Sequence, residues 1–308
     1  MSGNLKDLVG LVMDSYGTEP NIIKIEPESL INYKQIIEII GKLRELFFAG
    51  FFGSKNLKAD SLEYYVGELL EEISCALEKQ IARAVLHREC APKDGEAGSL
   101  TCKFLAKIPS IRANLATDVK AAYEGDPAAF SFDEIILSYP GLYATMVYRA
   151  AHELYRLNVP LIPRMMSEYA HEKTGIDIHP GAQIGHHFFI DHGTGIVIGE
   201  TAEVGNFVKI YQGVTLGALS TRSGQLLRGV KRHPTIEGHV VIYSGASILG
   251  GTTVVGEGTV IGSNAFITKS VPEKTRVSVK NPELQFKNSD GKSTVQELEQ
   301  DESWYYMI

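Results

Sequence analysis

Two short runs concentrate the side chains best suited to chemistry: Asp191-His192-Gly193-Thr194-Gly195 and Lys231-Arg232-His233-Pro234, with Asp177 upstream of both. A carboxylate that accepts a hydrogen bond from one imidazole nitrogen fixes the tautomer and leaves the other nitrogen as a base near neutral pH. His192 with Asp177 is the candidate pair for such a base, and its natural task is to deprotonate an alcohol. Each residue also has a plainer reading. Asp177 and Asp191 could satisfy corner amides, His192 could be an exposed corner histidine, and Lys231 and Arg232 could be solvated loop charges. Position favours chemistry for His192, because it falls where an otherwise regular repeat is broken. His179, His186, His187 and His239 have no such context and read as structural.

The repeat that positions these residues begins at Ile178. An aliphatic residue recurs at every sixth position through Ile184 and Ile190, then Ile198, Val204, Ile210 and Leu216, then Ile236, Ile242 and Ile248. A six-residue period fits neither an α-helix nor a free strand; it is the mark of a parallel β-helix in which three hexads complete one coil. Three interruptions break the count: two extra residues between Ile190 and Ile198, a long excursion over 218–234, and one extra residue between Ile248 and Val255. Ile178 and Ile198 then share a face on successive coils, which sets Asp177 one coil below the segment after His192. The same count puts His192 and Arg232-His233 at different corners. They should not converge within one chain, so the spacing predicts a homotrimer with sites shared between neighbouring prisms.

Upstream, residues 1–173 read as a helical domain. Apolar residues at three- and four-residue spacing predict helices over 31–52 and 64–86, and further helices are expected over 108–123, 141–157 and 163–173. Pro92 to Gly98 reads as a turn, and Asp126-Pro127 as a helix start with Asp126 as N-cap. The fold class is therefore α+β: an all-helical N-terminal domain followed by a left-handed parallel β-helix of hexapeptide repeats over 174–282. An acidic, aperiodic tail over 283–308 reads as a flexible extension. A formal net charge of −7 without a basic block argues against nucleic acid. The apolar runs are too short to span a membrane, so a cytoplasmic protein is expected. Cys75, Cys90 and Cys102 are irregularly spaced and suggest neither disulfides nor a metal cluster.

Several runs resemble serine O-acetyltransferase, a family within the hexapeptide acyltransferases. They are Asp177-Ile178-His179-Pro180-Gly181-Ala182, Ile190 to Glu200 around Asp191-His192-Gly193-Thr194-Gly195, Val214-Thr215-Leu216-Gly217, and Arg232-His233-Pro234. The likeness extends through Asp126-Pro127-Ala128 and the helix carrying Tyr148, Arg149 and His152. It covers roughly 108–285, so 106–173 reads as the family's helices and 1–105 as an extension. The resemblance implies transfer of an acetyl group from acetyl-CoA to L-serine by direct attack, with His192 as general base oriented by Asp177. It implies Asp126 and Asp191 on the serine amino group, and Arg232 and His233 of the neighbouring subunit on its carboxylate. A planar guanidinium suits that carboxylate.

By the same resemblance, Gly217, Ala218, Ser244 and Ser263 would face the pantetheine arm, and Lys269 is a candidate for the CoA phosphates. Ala218-Leu219-Ser220 and Tyr243 depart from the glycines usual in the family. The resemblance further implies feedback inhibition by L-cysteine, a trimer or dimer of trimers, and docking of O-acetylserine sulfhydrylase on the C-terminal Ile308. No metal is expected. Two rivals are a hexapeptide acyltransferase for another hydroxylated acceptor and, with His187 and His192 as ligands, a β-helical zinc carbonic anhydrase.

Overall fold

The computed structural model describes residues 5–18, 30–53, 57–88 and 90–279, with the backbone of 284–287 and 293–296. Its front half is helical: α1 (Leu5–Thr18), α2 (Tyr33–Phe47), α3 (Leu62–Val85), α4 (Glu96–Leu105), α5 (Ile108–Gly125), α6 (Phe132–Ser138), α7 (Pro140–Arg156) and α8 (Ile162–Thr174). The expected three- and four-residue spacing is the packing spacing. α2 buries Ile36, Ile39, Ile40 and Leu43, and α3 buries Leu69, Ile73, Leu77 and Ile81, in one core shared with α5, α7 and α8. None of the described helices is long and apolar enough to cross a membrane.

Two local readings need correction. The segment taken as a turn over 92–98 already contains the start of α4, because Gly95 takes a left-handed φ of 66° and launches the helix at Glu96. Asp126-Pro127 does not open a helix. Asp126 closes α5, and its Oδ1 accepts from the Ala128 N–H at 2.8 Å, turning the chain. The next helix starts at Phe132 with Ser131 as N-cap, whose hydroxyl oxygen accepts from the Glu134 N–H.

From Asp177 the chain winds as a left-handed parallel β-helix of three sheets. The first sheet stacks β1 (Asp177–Ile178), β4 (Val197–Ile198), β7 (Thr215–Gly217), β10 (Ser247–Leu249) and β13 (Phe266–Ile267). The second stacks β2 (Gln183–Ile184), β5 (Glu203–Val204), β8 (Thr235–Ile236) and β11 (Val254–Val255). The third stacks β3 (Phe189–Asp191), β6 (Lys209–Tyr211), β9 (Val241–Ile242), β12 (Val260–Ile261) and β14 (Arg276–Val277). Register aligns the hexad positions, so Ile178, Ile198, Leu216, Ile248 and Ile267 form one inward column. Burying each such side chain stabilises the prism by roughly 1.5–3 kcal/mol. Beyond the solenoid, β15 (Leu284–Lys287) pairs antiparallel with β16 (Ser293–Gln296), while Ile308 lies outside the described residues.

Three edges join the sheets. The first edge, from third sheet to first, carries His192 (φ 56°), Gly213, Gly245 and Asn264 in left-handed conformation. The second edge, from first sheet to second, carries the excursion 218–234. On the third edge the left-handed residues His187, Phe207 and His239 stack their rings at 4.3 and 4.7 Å. His187 and His192 thus occupy different edges of the prism.

A solenoid's first coil presents an unpaired strand edge, and here α5 and α7 satisfy it with side chains. The Tyr148 hydroxyl donates to the Ala182 carbonyl and accepts from the Ile184 N–H. Arg149 donates to the Gly185 carbonyl, while Asp118 and Thr117 accept from the Phe188 and His187 amides. Arg149 and Asp118 also bond to each other through two contacts, at 2.6 and 2.8 Å, and both are buried.

Candidate active site

The first edge assembles an acid-rich half-site around His192. Gly193 follows it at φ 92°, and a Cβ there would lie 2.4 Å from Ile176 Cδ1, so only glycine lets the corner close against the core. The His192 side chain is 59 % exposed, with Nδ1 3.6 Å from Asp191 Oδ1, beyond hydrogen-bond distance. Asp191 is itself buried and faces Lys209 Nζ at 3.4 Å. Lys209 in turn donates to the Gly125 carbonyl at 2.6 Å and sits over the Phe189 and Tyr211 rings. Through that lysine the end of α5 is fastened to the prism, which brings Asp126 to the same edge. The Asp126 carboxylate accepts from the Tyr139 hydroxyl at 2.6 Å. Partial burial opposes its charge, but Tyr139, the Ala128 N–H, Lys209 and His192 outweigh burial and hold its pKa below the usual range.

Asp177 begins β1, one coil below Val197, as the repeat required. Its contacts differ from the expected pairing with His192. Oδ1 is buried without a hydrogen-bond partner, and Glu168 and His171 of α8 bring a ligand-type atom each to the carboxylate, the three atoms lying within 4.8 Å of one another. That trio is the one group of three potential metal ligands among the described residues, and neither His187 nor His192 belongs to it.

The second edge gathers a cationic cluster whose side chains are held by Thr201 and Glu200. Thr201 Oγ1 accepts from the backbone N–H groups of Arg232 and His233 at 2.9 and 3.1 Å. The Thr201 amide and hydroxyl both meet His233 Nδ1, at 3.0 and 2.9 Å, so the ring proton resides on Nε2. Burial, followed by the Arg232 charge, pushes His233 down to about 4, leaving it a neutral donor. The ring lies on Gly199, where a Cβ would come within 2.0 Å of Cδ2. Arg232 is ion-paired with Glu200 and also donates to the Leu227 carbonyl. Glu200 accepts from the Tyr155 hydroxyl at 2.9 Å.

The expected site residues therefore divide between two edges that bound the same first sheet. With His192 lie Asp126, Asp191, Ser244 and Ser263; the last two occupy successive coils of that corner, joined by their hydroxyls at 3.3 Å. With Arg232 and His233 lie Gly217 and Ala218 at the end of β7 and Lys269 after β13. Lys209, Tyr139, Thr201 and Tyr155 were not singled out from the sequence. Thr201 directly follows the run that ends at Glu200, and Tyr155 lies on the helix that carries Tyr148, Arg149 and His152.

No family model matches the chain. A plasmid serine acetyltransferase of Synechococcus elongatus is 45% identical over 252 residues, covering 78% of this chain and 79% of that protein. This chain belongs to the serine acetyltransferase family. Solved serine acetyltransferases share its architecture of helical front and left-handed β-helix. Entamoeba histolytica serine acetyltransferase 1 in complex with L-cysteine superposes with a TM-score of 0.70 at 38% identity, over 83% of this chain and 90% of that one. The Neisseria gonorrhoeae enzyme in complex with serine gives 0.53 at 27% identity, over 78% and 95%. The chain is thus an enzyme of the serine O-acetyltransferase type.

Proposed function

We propose that this enzyme transfers the acetyl group of acetyl-CoA to the hydroxyl of L-serine, giving O-acetylserine and CoA, at sites shared between neighbouring chains of a cyclic trimer. The observation that carries this reading is the division of the site over two edges of one sheet. Rotation about an axis facing the first sheet brings the His192 edge of one prism against the Arg232 edge of the next. The outward column of that sheet, Asp177, Val197, Thr215, Ser247 and Phe266, includes two exposed apolar side chains, Val197 at 38 % and Phe266 at 70 % exposure, which a neighbouring prism would cover.

In the proposed mechanism, Asp126 and Asp191 bind the serine ammonium. Arg232 and the Nε2–H of the neighbouring His233 bind its carboxylate. His192 Nε2 takes the hydroxyl proton as the serine oxygen attacks the thioester carbonyl. The C–S bond then breaks, and the imidazolium returns its proton to the CoA sulfur. An orphaned buried acceptor costs roughly 1–3 kcal/mol. Asp177 Oδ1 is such an acceptor, and an exposed His192 has the freedom to swing its Nδ1–H toward it. Gly217, Ala218, Ser244 and Ser263 would line the pantetheine arm, with Lys269 toward the phosphates. L-Cysteine, which places a thiol where serine has its hydroxyl, would compete for the same pocket. A sulfhydrylase would engage Ile308, so deleting that residue should spare acetyl transfer.

Mixed oligomers test the shared site. His192→Ala and His233→Ala chains, each inactive alone, should recover activity when combined, because some interfaces then unite two intact edges. Verified mixed trimers without recovery would place both residues in one chain's site. A panel of hydroxylated acceptors tests the substrate; acetylation of a sugar with serine ignored would overturn it.

A further inference from the structure

We propose that Tyr155, on α7, is a positioning residue for serine recognition: it holds Glu200, and Glu200 holds the guanidinium of Arg232. The inference rests on the assignment of Arg232 to the substrate carboxylate. Three elements distant in sequence meet here. Tyr155 Oη donates to Glu200 Oε1 at 2.9 Å, and Glu200 Oε2 pairs with Arg232 Nη2. One carboxylate is thereby used at both oxygens, which fixes its plane and the direction of the guanidinium. The side chains of Glu200 and Arg232 are only 25 % and 23 % exposed, so the ion pair is partly shielded from water, while the Tyr155 hydroxyl reaches it from the more exposed side.

Tyr155 sits where it does for two reasons. Tyr148, His152 and Tyr155 follow one another by four and three residues, so they share the α7 face turned to the prism. The first two are already anchored, Tyr148 on Ala182 and Ile184 and His152 on the Pro180 carbonyl. The third position then projects over Gly181, where a Cβ would lie 3.0 Å from both Tyr155 Cζ and Glu200 Cγ. The missing side chain lets the ring and the carboxylate approach each other, and the ring also packs edge-on against His179. Arg232 stands on an excursion that turns largely on its own residues. Without Glu200 and Tyr155, its long side chain would have to be ordered at substrate binding, at a cost in rotamer entropy.

Steady-state kinetics on three variants test this. Tyr155→Phe keeps the ring, its contact with His179 and its packing on Gly181, and removes only the hydroxyl. It should raise KM for serine about three- to tenfold, as expected for the loss of one ordinary, partly solvated hydrogen bond, with the effect on serine KM rather than on kcat or the KM for acetyl-CoA. Glu200→Gln should raise serine KM further. The double variant should match Glu200→Gln alone, since the hydroxyl acts only through that carboxylate. An unchanged serine KM in Tyr155→Phe, or effects that multiply in the double variant, would overturn the inference. Arg232→Lys separates the two levels. If it raises serine KM while Tyr155→Phe does not, only the positioning role falls. If Arg232→Lys leaves serine KM unchanged, the reading of the site falls with it.

Discussion

The two edges that flank the first sheet are built on opposite plans. On the His192 edge the acids are fastened, Asp126 by Tyr139 and Asp191 by Lys209, while the imidazole itself is 59 % exposed and without a hydrogen bond to a carboxylate. On the Arg232 edge the groups proposed to hold the serine carboxylate are themselves fastened, by Thr201 and Glu200. A group that must hold charge in one orientation gains from being fixed in advance. A group that must shuttle a proton needs room to turn.

The strongest attack on this contrast is His192→Ala. If the exposed histidine is the base, kcat should fall by about a hundred- to ten-thousand-fold with little change in acetyl-CoA affinity; unchanged turnover would erase the functional difference between the edges. A reference variant remote from both edges is Arg149→Met. It strands the buried Asp118 charge and should destabilise the fold by about 3–5 kcal/mol in denaturant titrations, with turnover per folded molecule retained.

On the fastened edge, Arg232→Lys should raise serine KM on the order of tenfold, because a point charge cannot reproduce the planar fork. A smaller effect concerns pH. His233 is held at about 4 in the folded state, below the ordinary 6.5, so between those values the unfolded chain binds more protons. Stability contributed by this residue is therefore full above about pH 6.5 and declines as the pH drops toward 4. His233→Asn should flatten that slope in thermal melts recorded across the window. The smallest expected change lies on the third edge, where Lys274 adopts φ 52°. Lys274→Gly should relieve a left-handed corner and raise stability by up to about 1 kcal/mol without touching kinetics.

The solenoid was legible because every coil obeys the same rule: an aliphatic at each sixth position must point inward, and Ile178, Ile198 and Leu216 do. The break before Ile198 and the excursion ending at Arg232-His233 were legible as departures from that rule. What the repeat could not supply are contacts made across coils or from the helices. Thr201 and His233 lie 32 residues apart and meet only because an excursion lengthens one coil. Lys209 reaches Gly125 across 84 residues. Asp126-Pro127 fits an N-cap pattern locally, yet Tyr139 and the Ala128 amide hold that carboxylate outside any helix start. The pairing of Asp177 with His192 rested on coil height and on the family resemblance, and coil height fixes the level of a side chain while leaving its rotamer open.

The clasp that α5 and α7 place on the first coil also gives winding a direction in time. Synthesis delivers the helices first, so Asp118, Tyr148 and Arg149 precede the strands they will bind. Each coil contacts only its neighbours, as in any quasi-one-dimensional stack. The first coil has no predecessor of its own kind, and the helical front serves as its seed.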